Sequence, residues 1–265
     1  MGSGQRGLRL SLVYCKEHMN KIVTVSMVSV LLAVSGAAQA QLIGNYYILP
    51  NQMAGQSRHI DTLGGIDGSV VTGLVHSALG PNGLPVATAV ALTRAGGSGP
   101  IRDVNAGNEI LWWTPGRTGN KAVLFEQTRL DPANLNFTSS FFTEGATNNN
   151  SGFRAVHWNG SFVLGSGQTG SVNMTLRADD DAWVFINGLL AVDNGGVKAI
   201  NNATTSNGIA GLLEGVNTID IFFADRHQTQ SGIVFTSNVN IVPAPGAAAL
   251  LGLAGLLTTR RRRTK

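Results

Sequence analysis

The stretch RADDDAWVFINGLLAVDNGG, Arg177 to Gly196, specifies a hairpin on local chemistry alone. Ala182 to Ile186 is apolar at every position, the pattern of a strand buried on both faces. Asn187-Gly188 follows it, and a two-residue turn with positive φ at both positions favours that pair above all others. Such a turn sets the register. It pairs Ile186 with Leu189, Phe185 with Leu190, Trp183 with Val192 and Ala182 with Asp193. Asp193-Asn194 is thereby carried back beside Asp179-Asp180-Asp181.

Four carboxylates and an amide oxygen then gather at one end of the hairpin. At roughly 5 Å and an effective dielectric near 20, each like-charge pair costs about 3 kcal/mol. Protonation, splaying into water or a cation must relieve that repulsion. The donors are oxygens without His or Cys, a set suited to Ca2+ rather than a transition metal. The candidate ligands are Asp179, Asp180, Asp181, Asp193 and Asn194; the alternative is a solvated acidic loop at a strand end.

Working outward, Gly, Asn, Ser and Thr punctuate the chain at short intervals from residue 41 to 241, and no window sustains a helical apolar period. The expectation is one all-β domain, an antiparallel β-sandwich. Its strands are expected at Ser69–Val75, Val86–Leu92, Ala122–Thr128, Asn134–Phe142, Ser161–Leu164, Ser171–Arg177, Ala182–Ile186, Leu189–Val192, Thr218–Ala224 and Ile233–Ile241. Residues 93–120 and 147–152 read as loops rich in Gly, Pro and Asn. Gly165 to Gly170 fits GxGxxG, but a strand rather than a helix follows, so it reads as a hairpin loop and not a dinucleotide cradle. Asp225-Arg226-His227, after an apolar strand, is a candidate arginine–carboxylate pairing beside the acidic cluster or a structural salt bridge elsewhere.

The formal charge of +4 belongs to the ends. Residues 1–40 carry +3 and the last 23 residues +5, leaving −4 on the span 41–242, with 14 acids against 10 bases. That span offers no basic signal for nucleic acid. The one cysteine, Cys15, precedes it, so no disulfide can staple the domain.

Both ends read as sorting segments expected to be helical. Lys21, the apolar run Ile22 to Val34 and the small residues Ala38 and Ala40 make a signal peptide of residues 1–40 for signal peptidase, with a mature start at Gln41. Residues 1–18 add nothing to that signal and read as an upstream start or a long positive region. At the other end, residues 242–265 combine Pro243 and Pro245, an apolar run from Gly246 to Leu257, and a basic cluster that includes Arg260 and Arg261. This tail resembles the PEP-CTERM signal of bacteria that make extracellular polysaccharide, with Ala244 where that family usually has Glu. The resemblance implies an exosortase-type membrane protease, transient membrane anchoring, and delivery to the cell surface or extracellular matrix. A plain membrane anchor is the other reading, although 12 apolar residues fall short of the roughly 20 that span a bilayer.

DDDAWVFINGLLAVDNGGV and the later GLLEGVNTIDIFFADRH, Gly211 to His227, are similar to the fibro-slime domain over about Ser171 to Phe235. That family is distantly similar to the protective-antigen type of lectin β-sandwich, in which an Asp-Asp pair binds calcium. The resemblance places that pair on Asp179 and Asp180 and implies a non-enzymatic, calcium-binding module for extracellular polysaccharide. A purely structural matrix or adhesin subunit is the alternative, and a glycoside-active enzyme a more distant one. Trp112 and Trp113 are candidate stacking surfaces for sugar rings, although tandem Trp beside Pro115 is more often a packed loop anchor.

Overall fold

The computed structural model describes residues 40–207 and 209–243. Among the described residues, ten strands form two antiparallel sheets. β1 (Gln41–Pro50), β2 (Leu124–Pro132), β4 (Gly152–Leu164), β6 (Asp181–Ile186), β7 (Leu189–Asn194) and β9 (Gly215–Ala224) make a six-stranded sheet in the order β2-β1-β4-β9-β6-β7. β3 (Leu135–Phe137), β5 (Asn173–Asp179), β8 (Ala203–Asn207) and β10 (Gly232–Ser237) make the second, in the order β3-β10-β5-β8. The expected sandwich is present. Between the sheets lies a core in which Val156, Trp158, Val184, Ile221 and Phe223 of the larger sheet meet Leu135, Leu176, Ile233 and Phe235 of the smaller.

A second core explains why β6 is apolar on both faces. Trp183, Phe185 and Phe222 point away from the sandwich and are covered by Leu74, Ala91, Ile110, Trp112 and Trp113 from the long excursion between β1 and β2. That excursion holds one short helix, α1 (Ala89–Thr93), whose first turn is capped by the Thr88 hydroxyl accepting from the Ala91 amide at 3.3 Å. The strands expected at Ser69–Val75 and Val86–Leu92 are therefore loop and helix. Their apolar residues pack onto the sheet's outer face, and only isolated bridges such as Val75 with Ala87 form there.

Two strands escape the sequence reading. β1 is interrupted by Gly44, which looks like a break; a Cβ there would lie 2.7 Å from Trp158 Nε1 and from an Asp131 carboxylate oxygen, so the glycine is demanded by close packing. β8 is short and polar and pairs only with the β5 edge. Gly165–Gly170 lies in the connection from β4 to β5, which belong to different sheets, so it carries the chain between layers rather than closing a hairpin.

The Asn187-Gly188 turn forms with φ of 51° and 78°. Ile186 pairs with Leu189 and Phe185 with Leu190, but a bulge then shifts the ladder so that Val184 meets Val192, Trp183 meets Asp193 and Ala182 meets Asn194. One extra residue on β7 thus turns Asp193 to the face opposite from that expected. Of the processing positions, Ala40 and Pro243 are described; Ala38, Pro245, Arg260 and Arg261 lie outside the described residues, as do the segments expected to be the leader and tail helices.

Candidate metal centre

Three strand ends build the centre. β5 finishes at Asp179, a cis peptide joins it to Asp180, and β6 starts at Asp181. β9 runs antiparallel to β6 with Ala224 opposite Asp181, so the next residue, Asp225, arrives beside Asp180. One carboxylate oxygen from each of Asp179, Asp180 and Asp225 lies within 4.8 Å of the others, and all three residues are buried.

Polar partners hold Asp180 and Asp225 in place without neutralising them. Asp180 Oδ1 accepts from the Lys198 amide at 3.0 Å and Oδ2 from the Arg226 amide at 2.8 Å. Asp225 accepts from Asn149 Nδ2 at 2.8 Å and from the His227 amide at 3.2 Å. The buried Lys198 ammonium donates to the carbonyl oxygens of Asp180, Asn194 and Gly196 at 2.6, 2.9 and 3.2 Å. It supplies positive charge nearby without bonding a carboxylate.

Electrostatics follow from that arrangement. Burial, then the neighbouring Asp179, pushes the Asp180 carboxyl up to about 8. Burial, with Asp180 and Asp179 beside it, lifts Asp225 well above the ordinary carboxylate range, and burial raises Asp179 as well. Burial pulls the Lys198 ammonium down to about 8 against the pull of Asp181, Asp180 and Asp179. The fold spends stability to keep three carboxyl groups together.

Asp181 and Asp193 are engaged by other groups, and Asn194 has its amide nitrogen bonded away while its Oδ1 is buried without a hydrogen-bond partner among the described residues. Asp181 belongs to Arg226, whose Nε and Nη2 each lie 2.6 Å from its Oδ2, while its Oδ1 accepts from the Gly196 amide at 2.6 Å. The bulge directs Asp193 to Trp183 Nε1 at 3.0 Å and the Gly73 amide at 2.7 Å. Asn194 Nδ2 donates to the Asn202 carbonyl at 3.0 Å and to Thr204 Oγ1 at 2.9 Å, tying β7 to β8. Arg226 forms a buried salt bridge with Asp181, next in sequence to the cluster, and Asp225 joins Asp179 and Asp180. Asp225 was legible as the acid that ends an apolar strand; Lys198, the buried counter-charge, had no local signature.

Trp112 and Trp113 cannot serve as a sugar platform in this structure. Both are buried, and their indole nitrogens donate inward, Trp112 to Asp61 Oδ2 at 2.8 Å and Trp113 to the Phe223 carbonyl at 3.1 Å. They are the anchors that fasten the loop layer to the sheet.

The donor set fits a calcium ion. Oxygens bound at 2.3–2.6 Å to one ion can be separated by at most about 5 Å, and the three carboxylate oxygens fall inside that limit. Each carboxylate oxygen has two lone pairs, so an oxygen already accepting one amide retains capacity for a metal. Asn149, whose Nδ2 bonds Asp225, leaves its Oδ1 buried without a hydrogen-bond partner among the described residues. Asp179, Asp180 and Lys198 also line a cleft of about 280 Å³ bounded by Ile66, His227 and Gln230.

No family model matches the chain. Protein psiR of Dictyostelium discoideum is 42% identical over 67 residues, 25% of this chain and only 7% of that protein. Two solved structures are similar to the chain at low scores. The PA14 sugar-binding domain of an RTX adhesin covers 77% of this chain and 95% of its own at 15% identity and a TM-score of 0.31. The PA14 domain of the MpAFP antifreeze protein covers 79% and 90% at 13% identity and a TM-score of 0.34.

Proposed function

We propose that the protein is an exported, non-enzymatic β-sandwich that binds calcium through Asp179, Asp180 and Asp225 and holds extracellular carbohydrate in the cleft beside them. The observation that carries the reading is the convergence of three buried carboxylates, with Asp179 and Asp180 lining a cleft. A divalent cation would neutralise the cluster and, with coordination positions left over, present an electrophilic point to sugar hydroxyls. Asp179, Asp180 and Asp225 would hold it, with Asn149 Oδ1 as a further oxygen. The PEP-CTERM-like tail and signal peptide support export, exosortase processing and display at the cell surface or in the matrix.

Thermal unfolding of the purified protein in EDTA and in graded calcium tests this directly. Binding to the folded state alone stabilises by about 2.7 kcal/mol at a hundredfold excess over Kd. Asp225→Asn should abolish the calcium response while leaving the protein folded in EDTA, since burial favours the neutral form of the Asp225 carboxyl in the metal-free fold. A calcium response retained in that variant, or absent from the wild type up to ~10 mM, beyond the weakest extracellular modules, leaves the purely structural reading in front. With calcium binding established, a glycan array run with and without calcium tests the carbohydrate role.

A further inference from the structure

The loop layer over the larger sheet carries a second cleft, remote in composition from the acidic one. Residues 58–65 and 97–102 form its walls around a volume of about 170 Å³. Arg58 and Arg102 both line it, both are exposed, and neither has a carboxylate partner among the described residues. Arg94, Arg117, Arg129, Arg154 and Arg226 each have one. Lys121, outside the lining, donates to the Arg102 carbonyl at 3.0 Å. In a span with 14 acids and 10 bases, this concentration of unpaired positive charge stands apart.

Asp61 is the one carboxylate in the lining, and it faces inward. Its Oδ1 accepts from the Arg102 amide at 2.8 Å, and its Oδ2 from the Asp103 amide at 3.0 Å and Trp112 Nε1 at 2.8 Å. Asp61 is buried, so its oxygens are committed to the wall and leave the two guanidinium groups available. The walls close because they are made of glycine: a Cβ on Gly64 would lie 2.4 Å from the Ser98 carbonyl oxygen, and one on Gly65 2.3 Å from that of Gly97.

We infer that this cleft binds the carboxylate of a uronic acid unit in an acidic polysaccharide, with Arg58 and Arg102 taking the charge. Guanidinium groups match a carboxylate in shape and hydrogen-bond geometry, and they remain charged at every working pH. The volume lies below the roughly 300 Å³ at which drug-sized sites begin, a scale suited to one ring of a chain that continues into solvent. The sugar assignment rests on the carbohydrate reading above, whereas the anion site does not involve calcium.

The test is calorimetric titration of the purified protein with a galacturonate oligosaccharide in EDTA at low salt, beside a neutral galactose oligosaccharide of equal length and sodium sulfate. The uronate should bind in EDTA, weaken as salt rises, and lose about tenfold or more in affinity in R58Q/R102Q. Both arginines are exposed, so the variant should keep the wild-type melting temperature. If it does not fold, competition decides: sulfate should displace the uronate from the wild type more effectively than chloride at equal ionic strength. No uronate binding in EDTA, equal binding of the neutral sugar, full affinity in a folded R58Q/R102Q, or sulfate binding without uronate binding would each overturn the proposal. Uronate binding in EDTA together with no calcium uptake would sink the metal reading alone.

Discussion

In EDTA the protein should lose stability as the pH rises from 5 to 8. Asp180 keeps its proton up to about 8 in the fold, whereas an Asp in the unfolded chain releases it near 3.9. Between those values the folded state binds more protons than the unfolded state. The contribution is therefore fully present below about pH 4 and is lost as the pH climbs through 8. One proton of difference is worth about 1.4 kcal/mol per pH unit, so the three units amount to on the order of 4 kcal/mol from Asp180 alone. Asp225, shifted in the same direction by burial, adds to the slope. Lys198 acts above that window: its folded value near 8 lies below the unfolded value of about 10.4, so its penalty lifts only as the pH rises past 8. Calcium should reverse the trend, because it holds the carboxylates ionised and removes the proton excess. Urea unfolding at pH 5, 6, 7 and 8, in EDTA and in ~10 mM calcium, reads both effects. A flat EDTA profile, or an unchanged slope in calcium, would refute the coupling between the buried carboxyls and the metal.

Three further outcomes follow from the packing. Gly188→Val should cost about 1–2 kcal/mol in thermal unfolding, because φ is 78° and a Cβ there meets nothing within 4 Å, leaving backbone strain as the whole effect. Trp112→Ala should cost about 3–5 kcal/mol by chemical denaturation, the loss expected of a buried ring stacked on Trp183; an exposed sugar platform would leave stability unchanged. Arg226→Met should cost about 3–5 kcal/mol at neutral pH, because it strands the buried Asp181 carboxylate, and a loss below 1 kcal/mol would show that the pair is not needed.

The sequence revealed the layer that repeats local rules and missed the layer that depends on distant partners. Asn187-Gly188 located the hairpin, and the continuous apolar run of β6 announced burial on both faces. What covers the outer face was not legible, because the residues between β1 and β2 form almost no regular ladder and act through single anchors such as Trp112 and Trp113. The bulge in β7 was equally silent. Ala191 carries no breaker chemistry, yet the shift in pairing removed Asp193 from the expected ligand set. Asp179 and Asp180 were legible as neighbours of the hairpin. Their third partner, Asp225, depended on the pairing of β9 with β6, more than 40 residues away in sequence.

A crystal structure grown in calcium tests the central claim most directly. One ion should lie within about 2.3–2.6 Å of oxygens from Asp179, Asp180 and Asp225. Asp181 should remain on Arg226, and Asp193 on Trp183 and Gly73. A structure at saturating calcium with no ion at the cluster, and the three carboxyl groups bonded to one another or to water, would contradict it.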